Sequence, residues 1–377
     1  MSKGFYIGSI FGFKLRADYS WLLIFAFLSY FLAEQVFMPV ENLDLPRAVY
    51  WLMGFGTCLL FFATVIIHEL AHSFAARAKK IPVKNISLFI FGGAAEMTKE
   101  PEKANDELTI AIWGPVSSAI VGVLFLLLCY QVFRNISLEI AYICQYVGTI
   151  NLFLALFNLL PFFPLDGGRV LRSIIWGASK DYKKATERAS VVGRIGGIAI
   201  IAGGLLWAFI GQQFFSGLWL AFIGWFLYTA ATSSVSQMNM RQMLSKYTVQ
   251  SALRQYQTID STLPLAEVAQ NMIASGINAY LVSDQNGLLS SVLNADDLKK
   301  LASHQMQGKT VGQAAKEVRK ELAVNPQNDL MTAVQMMNQH NVTVLPILND
   351  DGLLLDVLHI EDLVRYLNMI QPSAPRG

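Results

Sequence analysis

The sequence predicts a polytopic α-helical membrane domain of about six spans, followed by a cytoplasmic α/β tail built from a tandem repeat. Three observations carry this. Apolar runs crowd residues 20–235, ordinary mixed sequence follows them, and a 65-residue period appears in that second part. Of the 377 residues 54% are hydrophobic, and the mean hydropathy is +0.41, values that fit a chain partly embedded in lipid. A net charge of +2 argues against nucleic acid as a partner. Cys58, Cys129 and Cys144 sit in apolar stretches without paired spacing, so neither a disulfide framework nor a thiolate metal site is indicated. The first apolar run starts near Trp21 with no small-x-small cleavage site after it, so no signal-peptide pattern is read.

The spans fall at about 20–38, 50–76, 108–131, 140–160, 194–213 and 216–235, each close to the length a helix needs to cross a bilayer. Charges set their direction. Lys3, Lys14 and Arg16 precede the first span, and Arg77, Lys79, Lys80 and Lys84 follow the second. Arg169, Arg172, Lys180, Lys183, Lys184 and Arg188 follow the fourth, whereas the loops after spans one, three and five hold few basic residues. The positive-inside rule then gives a multi-pass protein of the cell (plasma or inner) membrane with N- and C-termini in the cytoplasm. Span two enters from outside and approaches the cytoplasmic face at its end.

Near that end lies His68-Glu69-Leu70-Ala71-His72, inside a run, Tyr50 to Ala76, whose one charged residue is Glu69. Ionisable groups at such depth are costly and mark function. Histidines at i and i+4 share a helix face and can share one metal ion, and the glutamate between them is where a metalloprotease keeps its general base. On a soluble helix the same five residues could be a solvated face. Here, unliganded, they would oppose insertion by several kcal/mol.

A catalytic zinc needs a third protein ligand and an open fourth position. The candidate is Asp166, in Asn158-Leu-Leu-Pro161-Phe-Phe-Pro164-Leu-Asp166-Gly167-Gly168-Arg169 at the end of span four, where the prolines break the helix and the glycines let the chain turn. Span four runs inward, so its end reaches the depth of the histidines. Asp166 could equally be the N-cap of a following cytoplasmic helix. Asn158 could donate to a substrate carbonyl or satisfy the carbonyls of the broken helix. Gly114-Pro115 in span three reads as a packing kink.

These two motifs together resemble the site-2 protease family of intramembrane metalloproteases, over roughly residues 1–235. The resemblance implies one Zn2+ per chain held by His68, His72 and Asp166, Glu69 as catalytic base, and a substrate-orienting role near Asn158. Phe91-Gly92-Gly93-Ala94-Ala95-Glu96 resembles the family's Gly-Gly segment, which implies an extended strand or re-entrant loop at Gly92 and Gly93 able to pair with unwound substrate; an ordinary turn is the alternative. The expected activity is intramembrane endoproteolysis within or beside a transmembrane helix of a single-span regulatory protein. The substrate must unwind locally for its peptide bond to be reached.

In the tail, Leu265, Met272, Gly287, Asp297 and Leu298 recur as Leu330, Met337, Gly352, Asp362 and Leu363. Each copy reads as helix, strand (Ala279–Ser283; Val342–Leu348), glycine turn, second strand and helix. The copies resemble a tandem pair of cystathionine-β-synthase (CBS) domains, at 245–305 and 306–370 after a membrane domain at 1–240. That resemblance implies an adenine nucleotide, ATP or AMP, with Asp297 and Asp362 on its ribose and phosphates, and a homodimer through the tail. The threonines expected three residues earlier are Asn294 and His359; a pair that only dimerises or docks a partner is the competing reading. His340 and His359 read as surface or packing residues.

A CBS-regulated channel or transporter would combine the same parts, but would scatter polar groups and repeats among its spans. Here they concentrate on two motif segments. A catalytically dead relative is at odds with the presence of His68, Glu69, His72 and Asp166 together.

Overall fold

The computed structural model describes residues 4–40, 43–90, 92–131, 135–211, 213–254, 256–284, 287, 289–298, 306–349 and 351–370. Two units form, Met1–Ser236 and Gln237–Gly377.

The first unit opens with a hairpin, β1 (Gly4–Ile10) and β2 (Phe13–Asp18), that runs directly into α1 (Tyr19–Phe31). Asp18 caps α1 by accepting from the Ser20 N–H at 2.9 Å, and a π-helical stretch, Leu32–Phe37, continues it. Then come α2 (Arg47–Ala78), β3 (Val83–Phe89), β4 (Gly92–Met97), α3 (Ala104–Gln131), α4 (Leu138–Asn158), α5 (Asp166–Ser179), α6 (Tyr182–Phe209) and α7 (Phe214–Leu244). Among the described residues six helices are long and apolar enough to span a membrane: α1 with its π extension, α2, α3, α4, α6 and α7. They fall where the apolar runs do.

Two of them outrun the expected spans by two turns or more. α6 begins at Tyr182, not 194, because Asp181 caps it there (Lys184 N to Oδ1, 3.0 Å) and its first turns carry Lys183, Lys184 and Arg188. α7 continues past 235 to Leu244. Hydropathy marks where lipid ends, whereas a cap marks where a helix ends.

The strands form one sheet in the order β1-β2-β3-β4. β2 and β3 are parallel, with Leu15 opposite Ile86, although the whole of α1 and α2 separates them in sequence. Phe13, Leu15 and Ala17 alternate inward on β2, and this face packs on α2 with Ile86 and Leu88 against Leu70 and Val65. The sheet is thereby fixed to the stretch of α2 that carries His68 and Glu69. The β1–β2 hairpin has no counterpart in the sequence reading.

In the second unit the repeat is structural. β5 (Thr258–Asp260) runs parallel to β6 (Ala279–Ser283), which pairs antiparallel with β7 (Leu289–Asn294), and β8 (Lys316–Glu317) follows on β7. In the second copy β9 (Val344–Leu348) and β10 (Leu354–His359) are antiparallel, and the bridge Val324↔Ile347 stands where Ile259↔Val282 stands in the first. α8 (Val249–Ala252), α9 (Leu265–Ser275), α10 (Ala295–Leu298), α11 (Val311–Ala314), α12 (Leu330–His340) and α13 (Ile360–Ile370) complete the unit. α9 ends on Gly276 and α12 on Asn341, both left-handed, which is why β9 starts two residues later than the apolar run suggests. Val311 packs into the first copy's core with Leu265 and Met272, while Leu244, Val249 and Ala252 pack with Leu330 and Leu345 of the second. Each core is thus completed by the N-terminal segment of the other copy.

Candidate metal centre

α2 is regular through its C-terminal third, so His68 and His72 stack one turn apart with ring centroids 4.8 Å apart. Both are buried, at 5% and 4% exposure. α3 fixes their rings. His72 Nδ1 lies 2.7 Å from the carbonyl oxygen of Ile110, and His68 Nδ1 lies 2.8 Å from Ser118 Oγ. A carbonyl only accepts, so His72 Nδ1 carries the proton and its Nε2 presents a lone pair.

Asp166 arrives from the break after α4. That helix stops at Asn158, and the chain through Pro161 and Pro164 leads into α5, whose first residue is Asp166. The N-cap is Leu165, without a side-chain cap bond, so Asp166 does not serve the helix end and is left to the centre. Gly167 and Gly168 are already helical. They do not make the turn; they allow the break to press on α5, since a Cβ on Gly167 would lie 2.2 Å from Leu159 O and one on Gly168 2.4 Å from Phe163 N.

Asp166 Oδ2 sits 3.3 Å from His68 Nε2 and 3.2 Å from His72 Nε2, and the two Nε2 atoms are 3.2 Å apart. With Nδ1 of His72 committed as a donor, acceptor atoms face one another here without enough protons between them. A cation resolves the conflict, and the separations are the edges expected among ligands each about 2.0–2.1 Å from a shared zinc. His68, His72 and Asp166 form the metal-ligating cluster found among the described residues, all three buried.

Three features that the sequence reading passed over shape this centre. Gly114, read as part of a packing kink, lies against the imidazoles: a Cβ there would stand 2.2 Å from His72 Nε2. Ser118 and the Ile110 carbonyl orient the rings. Glu107, fully buried on α3, takes Nε of Arg172 at 2.9 Å together with a closer bond from its Nη2, and pairs with Arg169 at 4.0 Å. Arg169 in turn stands 3.8 Å from Asp166 Oδ1, the oxygen turned away from the histidines. Losing one partner of such a buried pair costs about 3–5 kcal/mol, because the other charge is stranded.

His68, His72 and Asp166 open onto a cavity of about 750 Å³, lined also by Glu69, Asn158, Gly92 and Gly93. Glu69 is 9% exposed, and its carboxylate has no ion-pair or hydrogen-bond partner among the described residues. Gly93 packs on its stem; a Cβ would lie 2.6 Å from Glu69 Cγ. Gly92 has φ +127°, which favours glycine. β4 occupies the expected Gly-Gly segment as a strand bonded to β3, with no strand on its other edge among the described residues. Trp219, Phe222 and Phe226 of α7 line the cavity as well.

The nucleotide candidates belong to the C-terminal unit. Asp297 lies on α10, with its side chain outside the described residues. Asp362 is buried and its Oδ2 accepts from the Tyr256 hydroxyl and from the His359 N–H at 3.2 Å. Burial and this carboxylate push the Tyr256 phenol well up. His359 is a buried packing residue whose Nδ1 accepts from the Glu361 N–H.

The sequence matches the profile of Peptidase family M50 over residues 56–137 and 129–203, and that of the CBS domain over 315–369. Among relatives named as zinc metalloproteases, sll0528 of Synechocystis sp. is 31% identical over 371 residues, 97% of this chain and 96% of that one. Rip3 of Mycobacterium tuberculosis is 27% identical over 98% of this chain and 94% of its own. The solved Site-2 Protease from Methanocaldococcus jannaschii is 26% identical, covering 62% of this chain and 95% of that one, with a TM-score of 0.42. With acceptors that converge as for a cation beside Glu69, and with this descent, the chain belongs to peptidase family M50, the site-2 proteases, as a multi-pass zinc metalloprotease with a C-terminal CBS region.

Proposed function

We propose that this protein is an intramembrane endopeptidase that cuts a peptide bond in or near a transmembrane helix of a single-span regulatory protein. The observation that supports it most is the convergence of His68 Nε2, His72 Nε2 and Asp166 Oδ2 at 3.2–3.3 Å beside Glu69. Those three residues hold the zinc; when bound, it acidifies water and polarises the scissile carbonyl. Glu69, lining the same cavity, accepts the proton of the attacking water and returns it to the leaving amine. The free edge of β4 receives the unwound substrate as an added strand, with main-chain bonds independent of its sequence. Asn158, which lines the same cavity, donates its amide N–H to the substrate backbone. Both termini face the cytoplasm, from which water enters.

A second reading concerns the C-terminal unit: an adenine nucleotide that tunes proteolysis. Asp362 is the residue that would hold its ribose, and it is bonded to Tyr256, so a nucleotide has first to displace that phenol.

The test uses full-length protein in detergent. Wild type should carry one zinc per chain and cleave a reconstituted single-span substrate. Glu69→Gln should keep the zinc and lose cleavage, and Asp166→Ala should lose both. Cleavage by Glu69→Gln at the wild-type rate would overturn the assignment.

A further inference from the structure

Among the described residues, one cationic side chain lines the cavity: Arg169. It lies about one turn after Asp166 on α5, with Nη1 3.8 Å from Asp166 Oδ1 and Nε 4.0 Å from Glu107 Oε1. Both are ion-pair distances, and both are too long for hydrogen bonds. Arg172 behaves differently. It gives Nε and Nη2 to the same Glu107 oxygen, and its guanidinium lies 4.8 Å over the Phe163 ring and 5.0 Å over that of Tyr182. Arg172 therefore locks Glu107, and Glu107 steadies Arg169 at the cavity wall without consuming its fork of donors.

The charges in this group do not cancel. Among the groups that line the cavity, Glu69 and Asp166 are outweighed by Arg169 and the divalent ion that would be bound, which leaves one excess positive charge facing a mostly apolar cavity. Peptide hydrolysis creates one negative charge in that place. The oxygen of water bonds to the carbonyl carbon, the C–N bond breaks, the amine departs as an ammonium, and the acyl fragment ends in a carboxylate. A guanidinium is the side chain whose planar fork matches a carboxylate.

We propose that Arg169 binds the carboxylate of the new C-terminus, which makes it a product-binding and charge-balancing residue of the reaction. The inference rests on the peptidase reading above, and its test is kept separate by measuring binding instead of turnover. Zinc-loaded full-length protein is titrated with an acetylated alternating leucine–alanine pentapeptide that ends in a free carboxylate or in a carboxamide. Mass spectrometry checks that the peptide stays intact. Wild type should prefer the acid by about tenfold or more, the worth of one charge-assisted bond. Arg169→Gln should abolish that preference and keep its zinc, and Arg169→Lys should retain part of it. An undiminished preference in Arg169→Gln, or none in wild type, would overturn the proposal. Zinc loss in Arg169→Gln that Arg169→Lys restores would also overturn it, making the residue a support for Asp166. If Arg169→Gln does not fold, Arg169→Lys decides: a weakened preference supports the proposal and an unchanged one sinks it. Glu69-dependent cleavage on the same preparations reports on the peptidase reading by itself.

Discussion

Gly114 of α3 lies in contact with His72 of α2, so close that a Cβ would stand 2.2 Å from Nε2 and 2.7 Å from that of His68. That added atom would occupy the space where the two lone pairs meet. Gly114→Ala is expected to displace both rings and abolish zinc retention, even though alanine is better by about 1 kcal/mol in a helix interior. Zinc per chain by elemental analysis decides. A full complement in the variant would show that the approach does not define the centre.

Gly93 offers the complementary case, because its neighbour is the glutamate and not a ligand. A Cβ there would lie 2.6 Å from Glu69 Cγ. Gly93→Ala should leave zinc in place and displace the base, lowering kcat by roughly a hundredfold, the cost of a misplacement near 1 Å. Unchanged kcat would mean that Glu69 has room to move.

Ser118 contacts no substrate in this reading, only His68 Nδ1 at 2.8 Å. Partners of that kind set ring orientation, and their loss costs 10- to 100-fold in metal affinity as an order of magnitude. Ser118→Ala should show such a loss in a chelator competition, with cleavage recovering at saturating zinc.

In the C-terminal unit, Tyr256→Phe removes the hydroxyl bonded to Asp362. Calorimetric titration with ATP and with AMP should show tighter binding to the variant than to wild type, reversed by adding Asp362→Ala. Equal affinities across the three proteins would take Asp362 out of any nucleotide site.

Asp356 gives a pH dependence. Burial holds its carboxyl above the ordinary range, against the Val357 N–H that it accepts at 2.8 Å. An acid raised in the folded state adds stability that is fully present below its unfolded value, about pH 4. That stability is lost as pH rises through the folded value. Asp356 should therefore contribute less stability at neutral pH than in mild acid, and Asp356→Asn should remove that contribution to the pH dependence. Hydrogen exchange of β10 in the full-length chain, corrected for intrinsic rates, measures it. Equal protection at both pH values would exclude the effect.

What was legible in the sequence follows from where each signal resides. His68, Glu69 and His72 stand out because lipid makes an ionisable side chain conspicuous, and the six spans stand out for the same reason. The repeat was legible because Leu265, Met272, Gly287, Asp297 and Leu298 recur 65 residues on, and the pairings Ile259↔Val282 and Val324↔Ile347 keep that spacing. The Ile110 carbonyl left no trace, since every residue has one. Gly114 looked like a kink because its role depends on a neighbour 42 positions away. The pairing of β2 with β3 was missed because the partner lies beyond two membrane helices, a pairing no local pattern announces, whereas the β1–β2 hairpin around Phe11-Gly12 is local.

That order of assembly has a consequence for biosynthesis. Chains emerge from the ribosome N-terminus first, and α2 delivers His68, Glu69 and His72 long before α5 delivers Asp166. Until then the nascent chain carries two of the three residues of the metal-ligating cluster, so the cluster can close only after α3, α4 and the break that follows them have been made.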